Sequence, residues 1–132
     1  MVILLLTTGI KGKAEAVVDA HNTAKAMGSG TLDVFATPAM VALMESAAYR
    51  SVASALEPGT GTVGTLMNIK HVAATPMGMR VTAESELIEV DGRRLIFSVQ
   101  ASDETGLIGT GTHERFIVAD KKFMAKAESK RG

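Results

Sequence analysis

Apolar residues recur at helical spacing in only one long stretch of the chain, Thr37 to Leu56, TPAMVALMESAAYRSVASAL. Met40, Val41, Leu43, Met44, Ala47, Ala48, Val52, Ala55 and Leu56 make a broad stripe, which predicts a helix with one buried face. Thr37 is placed to act as the N-cap, its hydroxyl accepting from a first-turn N–H, and Pro38 falls where its missing N–H costs nothing. Glu57-Pro58-Gly59 stops the helix, because proline cannot extend the hydrogen-bond ladder.

Elsewhere the period shortens to two. In Thr62 to Thr75, Val63, Met67, Ile69, His71 and Ala73 alternate against Gly64, Asn68 and Lys70, which predicts a strand with its first set turned to the helix. Arg80 to Val90 places Val81, Ala83, Ser85 and Leu87 on one face; Arg94 to Ser102 does the same with Leu95, Phe97, Val99 and Ala101. Leu107 to Ala119 is the last strand. Turn signals separate these segments at Thr75-Pro76-Met77-Gly78, at Asp91-Gly92 and around Asp103 to Gly106. Before the helix, Lys13 to Lys25 reads as a strand and Met27 to Thr31 as a loop.

Four consecutive strands after one long helix predict an α+β fold, a meandering antiparallel sheet curved around a central helix. The uncovered face or open edge of such a sheet calls for a second copy, so a homodimer is expected, or a tetramer built from two dimers.

At 132 residues the chain fits a single domain, 1–132, with 1–12 as a leading segment and 120–132 as a basic, solvated, partly frayed tail. The apolar opening, MVILLL, lacks the charged flank of a signal peptide and is far short of a membrane span. It reads as a leading strand or ordered terminus of a cytoplasmic protein. Lys and Arg balance Asp and Glu at 14 each, so no basic field recruits nucleic acid, and no membrane partner is indicated. With no cysteine and three scattered histidines, thiolate chemistry is excluded and no metal site is expected.

Two polar residues break the apolar faces. Glu45 shares a helix face with Val41, Ala48 and Val52, where a carboxylate is costly unless paired or rimming the stripe into water. His71 lies on the strand face with Met67 and Ile69, where a lone histidine is often structural. Together with the Thr37 hydroxyl they supply the parts of an acyl-transfer or hydrolytic site. Gly59, Gly61 and Gly64 spell GxGxxG, but the helix precedes and the strand follows, the reverse of a dinucleotide fingerprint.

The runs ATPAMVALMESAA (Ala36 to Ala48), GTVGTLMNIKHVAATPMG (Gly61 to Gly78), DGRRL (Asp91 to Leu95) and GTGTHERFIV (Gly109 to Val118) resemble the hotdog-fold acyl-CoA thioesterases, and among them the fluoroacetyl-CoA thioesterase group. The resemblance implies that Thr37, Glu45 and His71 are catalytic. It assigns Gly64 a backbone N–H toward the thioester carbonyl and Arg115 a part in binding the acyl-CoA. It implies a dimer with active sites at the subunit interface, and coenzyme A bound as part of the substrate with no prosthetic group. The family's longer segment ahead of the ATP motif carries lid phenylalanines; here MGSGTLDVF offers Phe35 alone. On this reading His71 is a general base and Thr37 and Glu45 position or activate the nucleophile. An acyl-thioester hydratase and a non-catalytic acyl-CoA-binding dimer module are the alternatives.

Overall fold

The structure, a computed structural model, describes residues 6–132. The leading strand expected at the start of the chain falls mainly in residues 1–5, outside that range. Among the described residues, five strands form one antiparallel sheet: β1 (Lys11–Val17), β2 (Thr60–His71), β3 (Arg80–Asp91), β4 (Arg94–Asp103) and β5 (Gly106–Ala119). Between β1 and β2 come a single turn of helix, α1 (Ala24–Met27), and the long helix α2 (Thr37–Val52), extended by a 3₁₀ turn at Ala53–Ala55.

The spatial order is β1-β3-β4-β5-β2. The expected four-strand meander is therefore confined to β3, β4 and β5. β2 instead pairs with β5, at the opposite edge of the sheet from β1. β1 and β2 form the two edges, of different character. β1 is short and carries Lys11, Lys13 and Glu15, which discourage further pairing. β2 is long and has Lys70 as its one charged residue before His71.

The core is the stripe of α2 laid on the sheet. Met40, Met44, Ala47, Ala48 and Val52 are buried against Val81, Ala83 and Leu87 of β3 and Leu95, Phe97, Val99 and Ala101 of β4. The helix rests mainly on β1 and β3, and touches β2 and β5 only lightly. Its seat on β1 depends on Gly12, where a Cβ would collide with the Ala47 carbonyl oxygen and lie 2.7 Å from Ser51 Cβ and Ser85 Oγ.

Three expectations need correction. Ala36, not Thr37, is the N-cap of α2, and it makes no side-chain capping bond. Its side chain is fully buried and its N–H donates to the Asn22 carbonyl at 2.9 Å, so packing fixes the helix start and leaves the Thr37 hydroxyl free. The strand expected over Lys13–Lys25 ends at Val17. There Asp19 and Asn22 turn the chain, and Thr23 caps α1 by accepting from Ala26 N–H at 3.1 Å. The tail is solvated but helical: α3 (Asp120–Glu128) follows β5 directly, with Asp120 in its first turn and Lys126 in its last, each favoured by the helix dipole.

The fourth correction concerns β2. Its register against β5 shifts between Gly64 and Leu66, leaving Thr65 as a bulged residue. The bulge changes the parity of the strand. Met67, Ile69 and His71 face inward as expected, but Val63, opposite the exposed Phe116, faces outward, and Gly64, opposite Arg115, faces inward.

Gly12→Ala is expected to push α2 off β1 and destabilise the protein by about 1–3 kcal/mol, the usual range for overpacking a close contact. Chemical denaturation of the two proteins measures it, and an unchanged midpoint would show that the helix has slack to yield.

Candidate active site

Two polar clusters occupy the inner surface. The first joins α2 to the end of β2. Thr37 Oγ1 lies 2.7 Å from His71 Nδ1, a contact made possible because Thr37 opens the helix instead of capping it. His71 Nε2 is buried and has no hydrogen-bond partner among the described residues. The Ala73 backbone lies near enough to favour the charged ring, but burial is the larger influence, and the pKa of His71 falls below its ordinary value. The imidazole is thus neutral near pH 7 and able to accept a proton.

A cavity of about 350 Å³ adjoins this pair, walled by Val34, Phe35, Val72 and Ala73. Its walls are tied down. Phe35 N–H donates to the Thr75 carbonyl at 2.9 Å, and the buried Thr75 hydroxyl donates to Asp103 Oδ2 at 2.8 Å. The threonine of the AATP run is therefore an anchor between the cavity loop and the β4–β5 turn. Phe35, the sole aromatic of its segment, is buried in the wall.

The second cluster surrounds Glu45. Its carboxylate borders the apolar stripe, with the side chain 40% exposed, and Oε2 is 3.4 Å from Arg115 Nη1. Arg115 is 7% exposed and its donors are engaged within the chain. Nε donates to Thr62 Oγ1 at 2.8 Å, Nη2 to the Thr62 carbonyl at 2.9 Å, and Nη1 to both Glu45 and His113 Nε2, the latter at 3.2 Å. The Tyr49 ring lies beneath the guanidinium at 5.8 Å. Burial lowers the pKa of Arg115 and the Glu45 charge opposes that, but an arginine stays a cation.

Gly64 forms the floor of this cluster. A Cβ there would come within 2.5 Å of Glu45 Oε2 and 3.3 Å of both Arg115 Nη1 and His113 Cε1. The missing side chain is thus space for the glutamate.

The structure brings Thr37 to His71, and Glu45 to Gly64 and Arg115. It does not bring the two groups together within one chain. Thr37 and Glu45 are separated by roughly 12 Å of helix. Gly64 and His71 stand roughly 20 Å apart along β2. Sequence reasoning passed over Thr62 and His113. The signal available for His113 was its spacing: it precedes Arg115 by two in a strand, so one inward-facing polar residue implied another.

Residues 18–121 match the fluoroacetyl-CoA-specific thioesterase family. The fluoroacetyl-CoA thioesterase of Streptantibioticus cattleyicolor is 50% identical over 98 residues, 74% of this chain and 70% of that protein. A solved structure of a fluoroacetyl-CoA thioesterase superposes with a TM-score of 0.90 at 41% identity, covering 95% of this chain and 97% of the other. A variant of that thioesterase solved with fluoroacetate and CoA gives a TM-score of 0.84 at 41% identity, over 89% and 99% of the two chains. The hotdog fold expected from the sequence is the fold of these structures, a curled five-stranded antiparallel sheet around a central helix.

Gly64→Ala is expected to displace the Glu45 carboxylate while leaving the apolar core alone. Misplacing a reacting group by an ångström costs on the order of 10²-fold in rate. Steady-state turnover beside a thermal melt tests this, with low turnover and a near-native melt as the expected pair.

Proposed function

The chain belongs to the fluoroacetyl-CoA-specific thioesterase family, and we propose that this acyl-CoA thioesterase cleaves small acyl-CoA substrates with His71 as its general base. The observation that carries the role is the 2.7 Å contact between Thr37 Oγ1 and His71 Nδ1, beside a cavity of about 350 Å³ suited to a short acyl group. The complexes of a related thioesterase with CoA support coenzyme A as the carrier, bound as substrate.

Water, or the Thr37 hydroxyl, attacks the thioester carbonyl carbon. Its proton passes to His71, the carbon–sulfur bond breaks, and the departing thiolate takes that proton to leave as free CoA. If Thr37 is the nucleophile, a water activated by the same base then hydrolyses the acyl-threonine. Backbone N–H donors at Gly64 would hold the developing oxyanion, an effect worth about 10²–10³-fold per donor.

Glu45 joins this chemistry only if a second chain supplies it. The inner face of β2 and β5 is lightly covered by α2, and among the described residues the outer edge of β2 pairs with no strand. A two-fold axis crossing β2 between Met67 and Asn68 would pair the strand with its copy so that Gly64 of the partner subunit lies opposite His71. Each site then combines Thr37 and His71 of one subunit with Glu45 and Gly64 of the other. The separation of the two clusters supports a homodimer that would join them.

Release of free thiol from a panel of short acyl-CoAs, acetyl-CoA and fluoroacetyl-CoA included, tests the reaction; no release from any member overturns it. His71→Ala is expected to lower turnover by about 10²–10⁴-fold. Because burial lowers the pKa of His71, kcat/KM is expected to be flat near neutrality and to fall as pH drops through a value below 6.5. An inflection above that value would point to another base.

Co-expressing His71→Ala and Glu45→Gln chains tests the shared site. Random pairing makes about half of the dimers hybrids and each hybrid keeps one intact site of two, so the mixture from two inactive parents should return about a quarter of wild-type turnover. No recovery in verified hybrids would place all three groups in one chain's site.

A further inference from the structure

His113 is 1% exposed, sits at the centre of the second cluster and touches none of the proposed reacting atoms. Its protonation state follows from its partners. Nδ1 lies 2.8 Å from the Leu66 carbonyl, which can only accept, so Nδ1 carries the hydrogen. Nε2 lies 3.2 Å from Arg115 Nη1, which can only donate, so Nε2 holds the lone pair. The ring is locked as one neutral tautomer, and Phe97 stacks beside it with centroids 6.1 Å apart. Burial lowers its pKa; the Leu66 contact is the next influence and opposes that, the Arg115 charge adds to the lowering, and Glu45 and Glu114 oppose it least.

These contacts link two features otherwise far apart in sequence. Leu66 closes the bulge that begins at Gly64, and Arg115 is the cation that meets Glu45. We propose that His113 is a positioning residue: through its two ring nitrogens it fixes the Gly64–Leu66 bulge and the Arg115 guanidinium to each other, and so sets where the Glu45 carboxylate stands. Thr62 holds the opposite side of the same guanidinium at Nε and Nη2, leaving Nη1 no freedom except toward Glu45 and His113. The inference rests on the catalytic reading of Glu45.

Two substitutions separate the ring's two contacts. His113→Asn can still donate to the Leu66 carbonyl but has nothing at the Nε2 position to accept from Arg115. His113→Gln offers an acceptor near that position. With the acyl-CoA that gives the highest rate, His113→Asn is expected to lower kcat by about 10- to 100-fold with KM within about twofold, the scale of a misplaced catalytic group. His113→Gln keeps an acceptor for Arg115, the cation that meets Glu45, but gives up the donor to Leu66, so it is expected to lose clearly less than His113→Asn, about three- to tenfold. In a Glu45→Gln background, His113→Asn should cost nothing further, since it acts through the missing carboxylate.

Thr62→Val, which removes the hydroxyl at the other side of Arg115 without entering the His113 site, is expected to lower kcat with the same dependence on Glu45. It serves if a His113 variant does not fold. Wild-type kcat in His113→Asn overturns the proposal, as does equal loss in the Asn and Gln variants or full additivity with Glu45→Gln. Wild-type turnover in Glu45→Gln alone overturns the role of Glu45 instead, so the two failures are distinguishable.

Discussion

A buried guanidinium sets most of the geometry on the β2–β5 side of the sheet. Arg115 brings five N–H donors and a permanent charge into a space that water does not freely reach, and a buried charge left unpaired is strongly destabilising. Its needs dictate its neighbours. Thr62 must face inward to present its hydroxyl, Nη1 must find acceptors on the helix side, and the position opposite on β2 must be bare. Thr62, Glu45, His113 and Gly64 answer those demands in turn. The orientation of Glu45 is therefore imposed from the strands, although the residue belongs to the helix.

α2 has the opposite logic at its beginning. There the chain forgoes a side-chain cap, which commonly contributes about 1 kcal/mol, and secures the helix by burying Phe35 and Ala36. What is gained is a hydroxyl free to meet His71. One helix thus carries both groups that the proposed reaction draws on, Thr37 and Glu45, each met by a different part of β2. A rigid rod of this kind cannot fold its ends onto one substrate. It can present them to two, which is the arrangement a symmetric pair of subunits requires.

The fold was legible because its main signals are local. The stripe from Met40 to Val52 and the alternation in β3 and β4 each depend on one element's own period, and both were read correctly. The topology was less accessible: nothing in β2 itself states that it pairs with β5 and not with β3, since strand order depends on contacts between segments distant in sequence. The N-cap was misassigned because Thr37 has ideal cap chemistry, and only the burial of Ala36 reveals the true start. At the site, Glu45 and His71 stand out as broken patterns and Thr37 as the hydroxyl at the helix mouth, while Gly64 and Arg115 come through family resemblance alone. Which of them touch could not be read, because contact depends on a bulge and on chain pairing. His113 hid in plain alternation. An inward histidine beside an inward arginine looks like core packing until the tautomer is worked out from its partners.

The bulge at Thr65 bears on how relatives of this protein should be compared. Strand parity is a counting rule, so a homologue that lacks one residue between Gly64 and Met67 could keep every apolar letter and still invert half of β2. Val63 would swing inward, and the bare floor beneath Glu45 would turn to solvent. In this chain the length of the interval from Gly64 to Met67 fixes which residue lies beneath Glu45. A gap placed there in an alignment is a functional statement.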